Sequence, residues 1–223
     1  MQPNDKRDLE SAISIMGLTD SSRILERTDR FIRLLQEWNG RINLISRQDV
    51  SRLMGRHILE SMGLITAVDF PTGSHVVDIG TGAGFPGVPL AIVRPDLQIT
   101  LIESKRKKSL FLQKVVQELG LDNVQIVLGR VEDVGSDIDQ VDFVISRAVT
   151  HLATLCDWSL PLFENRSGIL IAMKGMDVQK ELTDLKEQYP SLVPDIIPFH
   201  PFPDQPDIRA GQLIQIQCNA DWT

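Results

Sequence analysis

The 223-residue sequence predicts an α/β protein with a mostly parallel sheet, a C-terminal antiparallel hairpin and an N-terminal helical extension. Three observations favour this fold class. A β-branched run at 75–79 leads into glycines at 80, 82, 84 and 87, the pattern of a strand, a tight turn and a helix. Further apolar runs alternate with helical patterns, as in a parallel sheet. The last two runs, 196–200 and 213–217, are joined by a Pro-rich loop, so we expect them to pair as a hairpin in a Rossmann-like layout.

Residues 1–72 are predicted to form the helical extension, ahead of the sheet domain at 73–223. A short helix should end at Gly17, and a longer helix should run from Asp20 to about Asn39. A further helix is expected at Arg56–Ser61. In the long helix, apolar residues and arginines each recur at helical spacing, which predicts one buried face and one cationic face. The buried face contains Ile24, Thr28, Phe31, Leu35 and Trp38, and the cationic face contains Arg23, Arg27, Arg30 and Arg33.

The sheet domain is predicted to contain five strands before the hairpin. Arg94-Pro95-Asp96 should end the helix after the glycine loop, and Gly120 should cap the next helix. The expected strands lie at 75–79, 99–103, 124–128, 141–145 and 169–173, and the expected helices at 88–93, 105–119, 150–160 and 177–189.

The composition is that of an ordinary globular protein, with 42% hydrophobic and 24% charged residues. No apolar run reaches the roughly 18 residues that a membrane span requires, and the N-terminus lacks the apolar core of a signal peptide. The two cysteines, Cys156 and Cys218, suit a reducing compartment, and they and the scattered histidines show no metal-ligand spacing. We therefore expect a cytoplasmic monomer without a metal site.

The net charge of −7 argues against a nucleic-acid binder, but the charge is unevenly spread. Residues 23–56 contain eight arginines and four acidic residues, and a local basic stripe can contact phosphates on an acidic protein. A solvated helix face is an equally good interpretation of this stripe. Four cations at 105–108 begin a helix, where they oppose the helix dipole, so they favour a partner surface.

Charged residues follow the predicted strands at their carboxyl ends, where open α/β sheets bind ligands. By this topology Glu103 should hold ribose hydroxyls, and Val131-Glu132 should border an adenine. The Arg147 guanidinium could hold a carboxylate or phosphate with two parallel hydrogen bonds. The strand-end residues that should converge on one crevice are Asp78, Glu103, Glu132, Asp133, Arg147 and Lys174.

The glycine loop alone leaves the ligand open. Gly82 to Gly87 matches GxGxxG, which is weak evidence for NAD, and a turn that binds nothing would look the same. Asp78, expected at the lip of the loop, would crowd a pyrophosphate but suits a ligand with a sulfonium and an ammonium. The hairpin also replaces the second βαβαβ half that NAD binding would favour. These features favour S-adenosylmethionine (SAM).

Several methyltransferase motifs are absent from the sequence. No Asn/Asp-Pro-Pro-Tyr/Phe follows the fourth strand, as attack by an exocyclic amine would require, and neither cysteine lies in a Pro-Cys loop. A nucleophile that needs no covalent help and no strong base fits better, and guanine N7 is one. Such an enzyme would align the base with the methyl group, a proximity effect worth up to about 7–11 kcal/mol.

Several segments together resemble the RsmG (GidB) family of bacterial 16S ribosomal RNA guanine-N7 methyltransferases. The resemblance implies a SAM-dependent methyltransferase fold, with small-subunit ribosomal RNA or its particle as partner. It places Gly80, Phe85, Val131-Glu132 and Arg147 at the cofactor. Two departures are Glu60, where the family usually has Asp, and Arg209, which matches a late family arginine only after a longer loop. The segments are Trp38-Asn39, Ile42–Leu44, Arg56–Ser61, Val77–Leu90, Gly129–Glu132, Ser146–Ala148 and Lys174-Gly175.

The leading hypothesis is therefore a SAM-dependent methyltransferase acting on guanine N7 of 16S ribosomal RNA, with Arg147 as a positioning residue. An NAD-dependent oxidoreductase and a non-enzymatic RNA-binding assembly factor are the alternatives. The predicted cofactor residues are Asp78, Gly80, Gly82, Phe85, Glu103, Val131, Glu132 and Arg147. The predicted RNA contacts are Arg27, Arg30, Arg56, His57, Lys105, Arg106 and Arg209.

Overall fold

A computed structural model describes residues 1–163, 166–205 and 207–218. They form one seven-stranded sheet in the order β3-β2-β1-β4-β5-β7-β6. The last five residues of the predicted sheet domain, 219–223, lie outside the described part. The strands are β1 His75–Ile79, β2 Gln98–Glu103, β3 Val124–Leu128, β4 Phe143–Arg147, β5 Gly168–Lys174, β6 Asp195–Phe199 and β7 Gly211–Cys218.

Helices cover both faces of the sheet. Within the described ranges, none is long and apolar enough to cross a membrane. A π-helical turn, Met54–Leu59, leads directly into α3. The α-helices are α1 Pro3–Ile15, α2 Ser21–Asn39, α3 Glu60–Met62, α4 Gly87–Val93, α5 Arg106–Leu119, α6 Val131–Val134, α7 Leu152–Ser159 and α8 Gln179–Gln188.

The predicted fold class is confirmed. Strands β1 to β5 pair in parallel, and β7 runs antiparallel to both β5 and β6, which forms the expected C-terminal hairpin. The fourth strand is displaced from its predicted span of 141–145. It starts at Phe143 and keeps pairing with β5 as far as Arg147 opposite Met173, whereas the Asp142 carboxylate just before it accepts a hydrogen bond from the His75 backbone N–H. Arg147 is therefore the last residue of a strand.

The N-terminal helices pack onto one face of the sheet. Leu9 of α1, and Phe31 and Leu35 of α2, belong to the same buried cluster as Val76 of β1. The Phe31 and Phe85 rings lie 5.5 Å apart between centroids. The apolar face predicted for α2 is therefore a core face. The opposite side of the sheet is covered by a second buried cluster that includes residues of α7 and α8.

Candidate functional site

The glycine loop is held from below by Asp78. This side chain is fully buried, and its Oδ2 accepts hydrogen bonds from the Thr81 hydroxyl at 2.6 Å and the Gly87 N–H at 2.9 Å. Its Oδ1 has no partner among the described residues. Burial raises the pKa of Asp78 to about 7, although both hydrogen bonds oppose the shift. Asp78 is therefore an anchor of the loop.

The predicted position of Asp78 at the lip of the loop is wrong. Its carboxylate lies beneath the loop, because the loop residues Thr81 and Gly87 turn their donors inward to it. Because the Asp78 side chain has no exposed surface, it cannot contact a bound ligand directly. An electrostatic effect of Asp78 on a sulfonium, acting through the loop, stays a prediction.

Gly80 begins the loop in a left-handed conformation, with φ +66°. A Cβ at this position would lie 2.8 Å from Cγ2 and 2.9 Å from Cγ1 of Val149. Val149 belongs to the segment after β4, where Ala148 also has a positive φ of 55°. Glycine is therefore required at position 80 both by the backbone angle and by the close approach of Val149.

Glu103 ends β2 and joins the loop to the start of α5. Its Oε2 accepts from the Gly82 N–H at 3.0 Å and its Oε1 from the Lys105 N–H at 2.7 Å. The side chain is only 5% exposed. A carboxylate has about four acceptor positions, so two remain for further donors. The ribose contact predicted for Glu103 stays a prediction.

A small cleft of about 180 Å³ lies beyond the ends of β1 and β2. Gly80 lines it together with the predicted adenine neighbours Val131 and Glu132. Trp158 and Val149 complete its wall, and neither was recognised in the sequence. The cleft thus joins an apolar surface to the glycine loop, which suits a flat heterocycle on a polar tail.

A second, larger cleft of about 820 Å³ adjoins the first, and Val149 lines both. Charged side chains from distant parts of the chain converge here. Arg147 and Lys174 come from strand ends, as predicted, whereas the carboxylates of Asp49 and Glu181 were not predicted to take part. The charged side chains that line this cleft are Asp49, Arg56, Glu60, Arg147, Lys174, Glu181 and Arg209.

Arg147 is fixed by three hydrogen bonds. Its Nη1 donates to the Arg56 carbonyl at 2.9 Å and to Glu60 Oε2 at 3.1 Å, and its Nη2 donates to His57 Nδ1 at 2.5 Å. Its guanidinium carbon also lies 5.2 Å from the centroid of the Phe85 ring. The strand-end arginine is therefore held in one orientation by the segment preceding α3 and by the glycine loop.

His57 is a neutral acceptor in this cluster. Arginine has no acceptor atom, so His57 Nδ1 must carry a lone pair and the ring proton must sit on Nε2. Burial, and after it the neighbouring positive charge of Arg147, lowers the pKa of His57 to about 4. The Nε2 atom is buried without a partner in the described structure.

Lys174 fastens the segment that carries Val149. Its Nζ donates to the Thr150 carbonyl at 2.6 Å and to Glu181 Oε2 at 2.7 Å. The same Glu181 oxygen accepts the Leu152 N–H at 2.9 Å, at the start of α7. The amino group of Lys174 therefore holds in place the segment that separates the two clefts.

The predicted RNA contacts fall into three groups. Arg27 and Arg30 bind within the protein: Arg27 donates to the Gly120 carbonyl at 2.5 Å, and Arg30 pairs with Glu118 at the end of α5. These contacts link α2 to α5. Lys105, Arg106 and Arg209 are exposed, as is Arg30 despite its ion pair. Arg56 and His57 lie on the wall of the larger cleft.

The residues that were missed carry little local signal. Trp158 and Val149 look like core residues in the sequence, and Glu181 looks like a solvated helix residue. Ionic pairing between Glu181 and Lys174, or between Asp49 and Arg56, depends on how distant elements pack. The alternation of strands and helices predicts which strand ends lie together. It does not predict which side chains from other elements, such as Glu181 of α8, pair with the residues at those strand ends.

A family model described as rRNA small subunit methyltransferase G (GidB) matches residues 24–197. A protein of Neisseria meningitidis serogroup B, named ribosomal RNA small subunit methyltransferase G, is 40% identical over 82% of this chain and 86% of its own length. A protein of the same name from Brevibacillus brevis is 37% identical over 84% of this chain and 79% of its own length.

Solved structures resemble this fold at lower sequence identity. The O-methyltransferase TomG from Streptomyces achromogenes, in complex with SAM, has a TM-score of 0.55 and 14% identity, and the match covers 87% of this chain and 89% of TomG. TYW2 of M. jannaschii, in complex with AdoMet, has a TM-score of 0.53 and 18% identity over 80% of this chain and 78% of TYW2. These likenesses show a shared fold.

Proposed function

The chain belongs to the rRNA small subunit methyltransferase G (GidB) family, and we propose that it transfers a methyl group from SAM to N7 of a guanine in 16S ribosomal RNA. One observation carries this proposal beyond family membership. A small cleft at the glycine loop and a larger charged cleft meet at a single residue, Val149. Two adjoining sites are what transfer between a bound donor and an acceptor base requires.

The smaller cleft fits the adenosine part of SAM. Val131 and Trp158 offer apolar surface for an adenine, and Glu103 keeps acceptor positions for ribose hydroxyls at the adjacent strand end. Gly80 and Gly82 leave the loop backbone open to the polar tail of the ligand. When bound, SAM supplies an electrophilic methyl group on a sulfonium.

The larger cleft suits an acceptor that needs alignment more than proton transfer. Its cations and carboxylates are largely paired with one another: Arg147 with Glu60, Arg56 with Asp49, and Lys174 with Glu181. His57 is held neutral with its Nδ1 lone pair already engaged. Guanine N7 carries a free lone pair at neutral pH, so it can attack without a general base. The protein orients the base and excludes water.

Exposed cations beside the clefts provide the proposed RNA contact. Lys105 and Arg106 begin α5, directly after the β2 strand end, and Arg209 lies at the rim of the larger cleft. Arg56 lies deeper in the same wall. We propose that these four cations contact the RNA backbone. The main role of Arg27 and Arg30 is structural, because they link α2 to α5. A target base would have to leave its stack to enter the cleft.

We further propose that the protein acts as a cytoplasmic monomer.

A transfer experiment tests the proposal. Purified protein and tritiated SAM would be incubated with small ribosomal subunits from a strain that lacks the modification, and the labelled nucleoside identified. We expect labelled 7-methylguanosine in the 16S RNA, and no label on fully modified subunits, which serve as the control. Binding of SAM in calorimetry without any label on RNA would contradict the proposal and favour a non-enzymatic RNA-binding factor.

A further inference from the structure

The larger cleft contains three carboxylates whose hydrogen bonding differs. Asp49 uses both oxygens, one with Arg56 at 2.9 Å and one with the Ser46 hydroxyl at 2.6 Å. Glu181 accepts from the Lys174 ammonium and from the Leu152 backbone N–H, both through Oε2. Glu60 bonds to Arg147 through Oε2, and its Oε1 has no recorded partner in the described part of the chain. Glu60 therefore keeps an acceptor oxygen directly beside the Arg147 guanidinium, whereas Glu181 is paired with the Lys174 ammonium.

Glu60 and Arg147 are fixed in place while they remain open to the cleft. Their side chains are 23% and 15% exposed, and both line the cleft. Arg147 has five N–H groups, of which three donate to Arg56, Glu60 and His57. Its Nε–H and one Nη2–H have no recorded partner among the described residues. The pair thus offers a free acceptor next to free donors on a preorganised surface.

This arrangement matches one edge of guanine. The Watson–Crick edge of guanine carries two adjacent donors, N1–H and the N2 amino group, next to the O6 acceptor. Adenine has an acceptor at N1 and a donor at N6, so its order is reversed and its N1 lone pair would face the carboxylate. N7 lies on the other side of the six-membered ring from N1. A base held by its Watson–Crick edge therefore keeps N7 free for methylation.

We infer that Glu60 and Arg147 read the Watson–Crick edge of the methylated guanine, with Glu60 accepting from N1–H and N2–H and Arg147 donating to O6. This inference rests on the proposed function and names the residues that select the base. If the bound base lacks one of these groups, the partly buried Glu60 or Arg147 side chain is left without a hydrogen-bond partner. A site of this kind therefore discriminates against analogues that lack the matching group.

Inosine provides the decisive substrate, because it equals guanine without the N2 amino group. Loss of one hydrogen bond to a charged acceptor should lower kcat/KM of the wild-type protein on inosine about 10- to 100-fold relative to guanine. In a Glu60→Ala variant the ratio of kcat/KM for guanine to kcat/KM for inosine should fall to about 1. Without the carboxylate, the N2 amino group of guanine no longer gains a hydrogen bond. RNA that carries adenine at the methylated position should remain unmethylated by the wild-type protein.

The experiment would use small subunits reconstituted with RNA that carries guanine or inosine at the methylated position. Glu60→Gln keeps the shape of the side chain if Glu60→Ala fails to fold, and it should also reduce the ratio. Glu60→Asp keeps the carboxylate and should keep the ratio well above 1. Asp49→Asn is the matched control, a carboxylate in the same cleft whose removal should leave the ratio unchanged.

The outcomes separate this inference from the proposed function. Wild-type transfer to guanine with the expected ratios supports both. Wild-type transfer to guanine with equal guanine-to-inosine ratios in wild type and Glu60→Ala would overturn the role of Glu60 and leave the proposed function standing. Failure of the wild-type protein to methylate any guanine would overturn both.

Discussion

Replacement of Asp78 by asparagine should change how the stability of the protein depends on pH. The carboxyl is fully buried beneath the glycine loop, and burial raises its pKa from the ordinary 3.8 to about 7. The folded state therefore binds this proton more tightly than the unfolded chain does. Stability from Asp78 is fully present below about pH 4, and it is lost as the pH rises through about 7. Asparagine does not titrate, so the variant lacks this dependence.

The size of the effect follows from the two pKa values of Asp78. The full difference between 3.8 and about 7 corresponds to about 4 kcal/mol, at about 1.4 kcal/mol for each tenfold change in proton affinity. Between pH 5 and pH 8, the unfolding free energy of the wild-type protein should fall by about 2–3 kcal/mol relative to that of Asp78→Asn.

Urea denaturation of both proteins at pH 5, 6, 7 and 8 measures this difference. Asp122→Asn, at an exposed position, serves as the control for a lost carboxylate. A difference between wild type and Asp78→Asn that stays constant within about 0.5 kcal/mol, or that grows with pH, would refute the reasoning. In that case the Thr81 and Gly87 hydrogen bonds would dominate over burial, and Asp78 would be ionised at neutral pH.

Two further sites lead to sharp expectations. Gly80→Ala should lower the SAM affinity measured by calorimetry, because the added Cβ would clash with Val149. Gly17→Ala is the control: Gly17 has nearly the same φ, but an added Cβ has no atom within 4 Å, so this variant should lose only about 1–2 kcal/mol of stability. Adding Val149→Ala to Gly80→Ala should restore part of the affinity, and a lack of any restoration would contradict the steric explanation. Lys174→Met should destabilise the protein by about 1–3 kcal/mol in urea, because it leaves the Glu181 carboxylate unpaired. Lys174→Met combined with Glu181→Gln should recover some of that loss, and strictly additive losses would argue against the pair.

The strands and most helices were predictable because their signals are local. Apolar runs and helical spacing predicted β1 and β3 with their observed bounds, and Asp20 caps α2 as expected by accepting from the Arg23 N–H. The fourth strand was misplaced because its extent depends on pairing with β5, a neighbour more than 20 residues away in the chain.

The candidate site was predictable only in part, for the same reason. Strand ends meet by topology, so Arg147 and Lys174 could be assigned to one crevice. Whether a charged side chain turns toward the cleft or away from it depends on partners that the topology does not specify. Arg30 is an example: its sequence spacing suggests a free cationic face, but Glu118 on α5 pairs with it.

The shared core of the N-terminal helices and the sheet has a consequence for the modularity of this protein. Phe31 and Leu35 of α2 are fully buried in the same cluster as Val76 of β1. Removal of the first 72 residues would uncover this apolar face of the sheet to water, and the truncated chain should aggregate. Recombination that exchanges the helical region between homologues would need to exchange the facing surface of the sheet with it. Substrate recognition and folding are therefore expected to be inherited together in this chain.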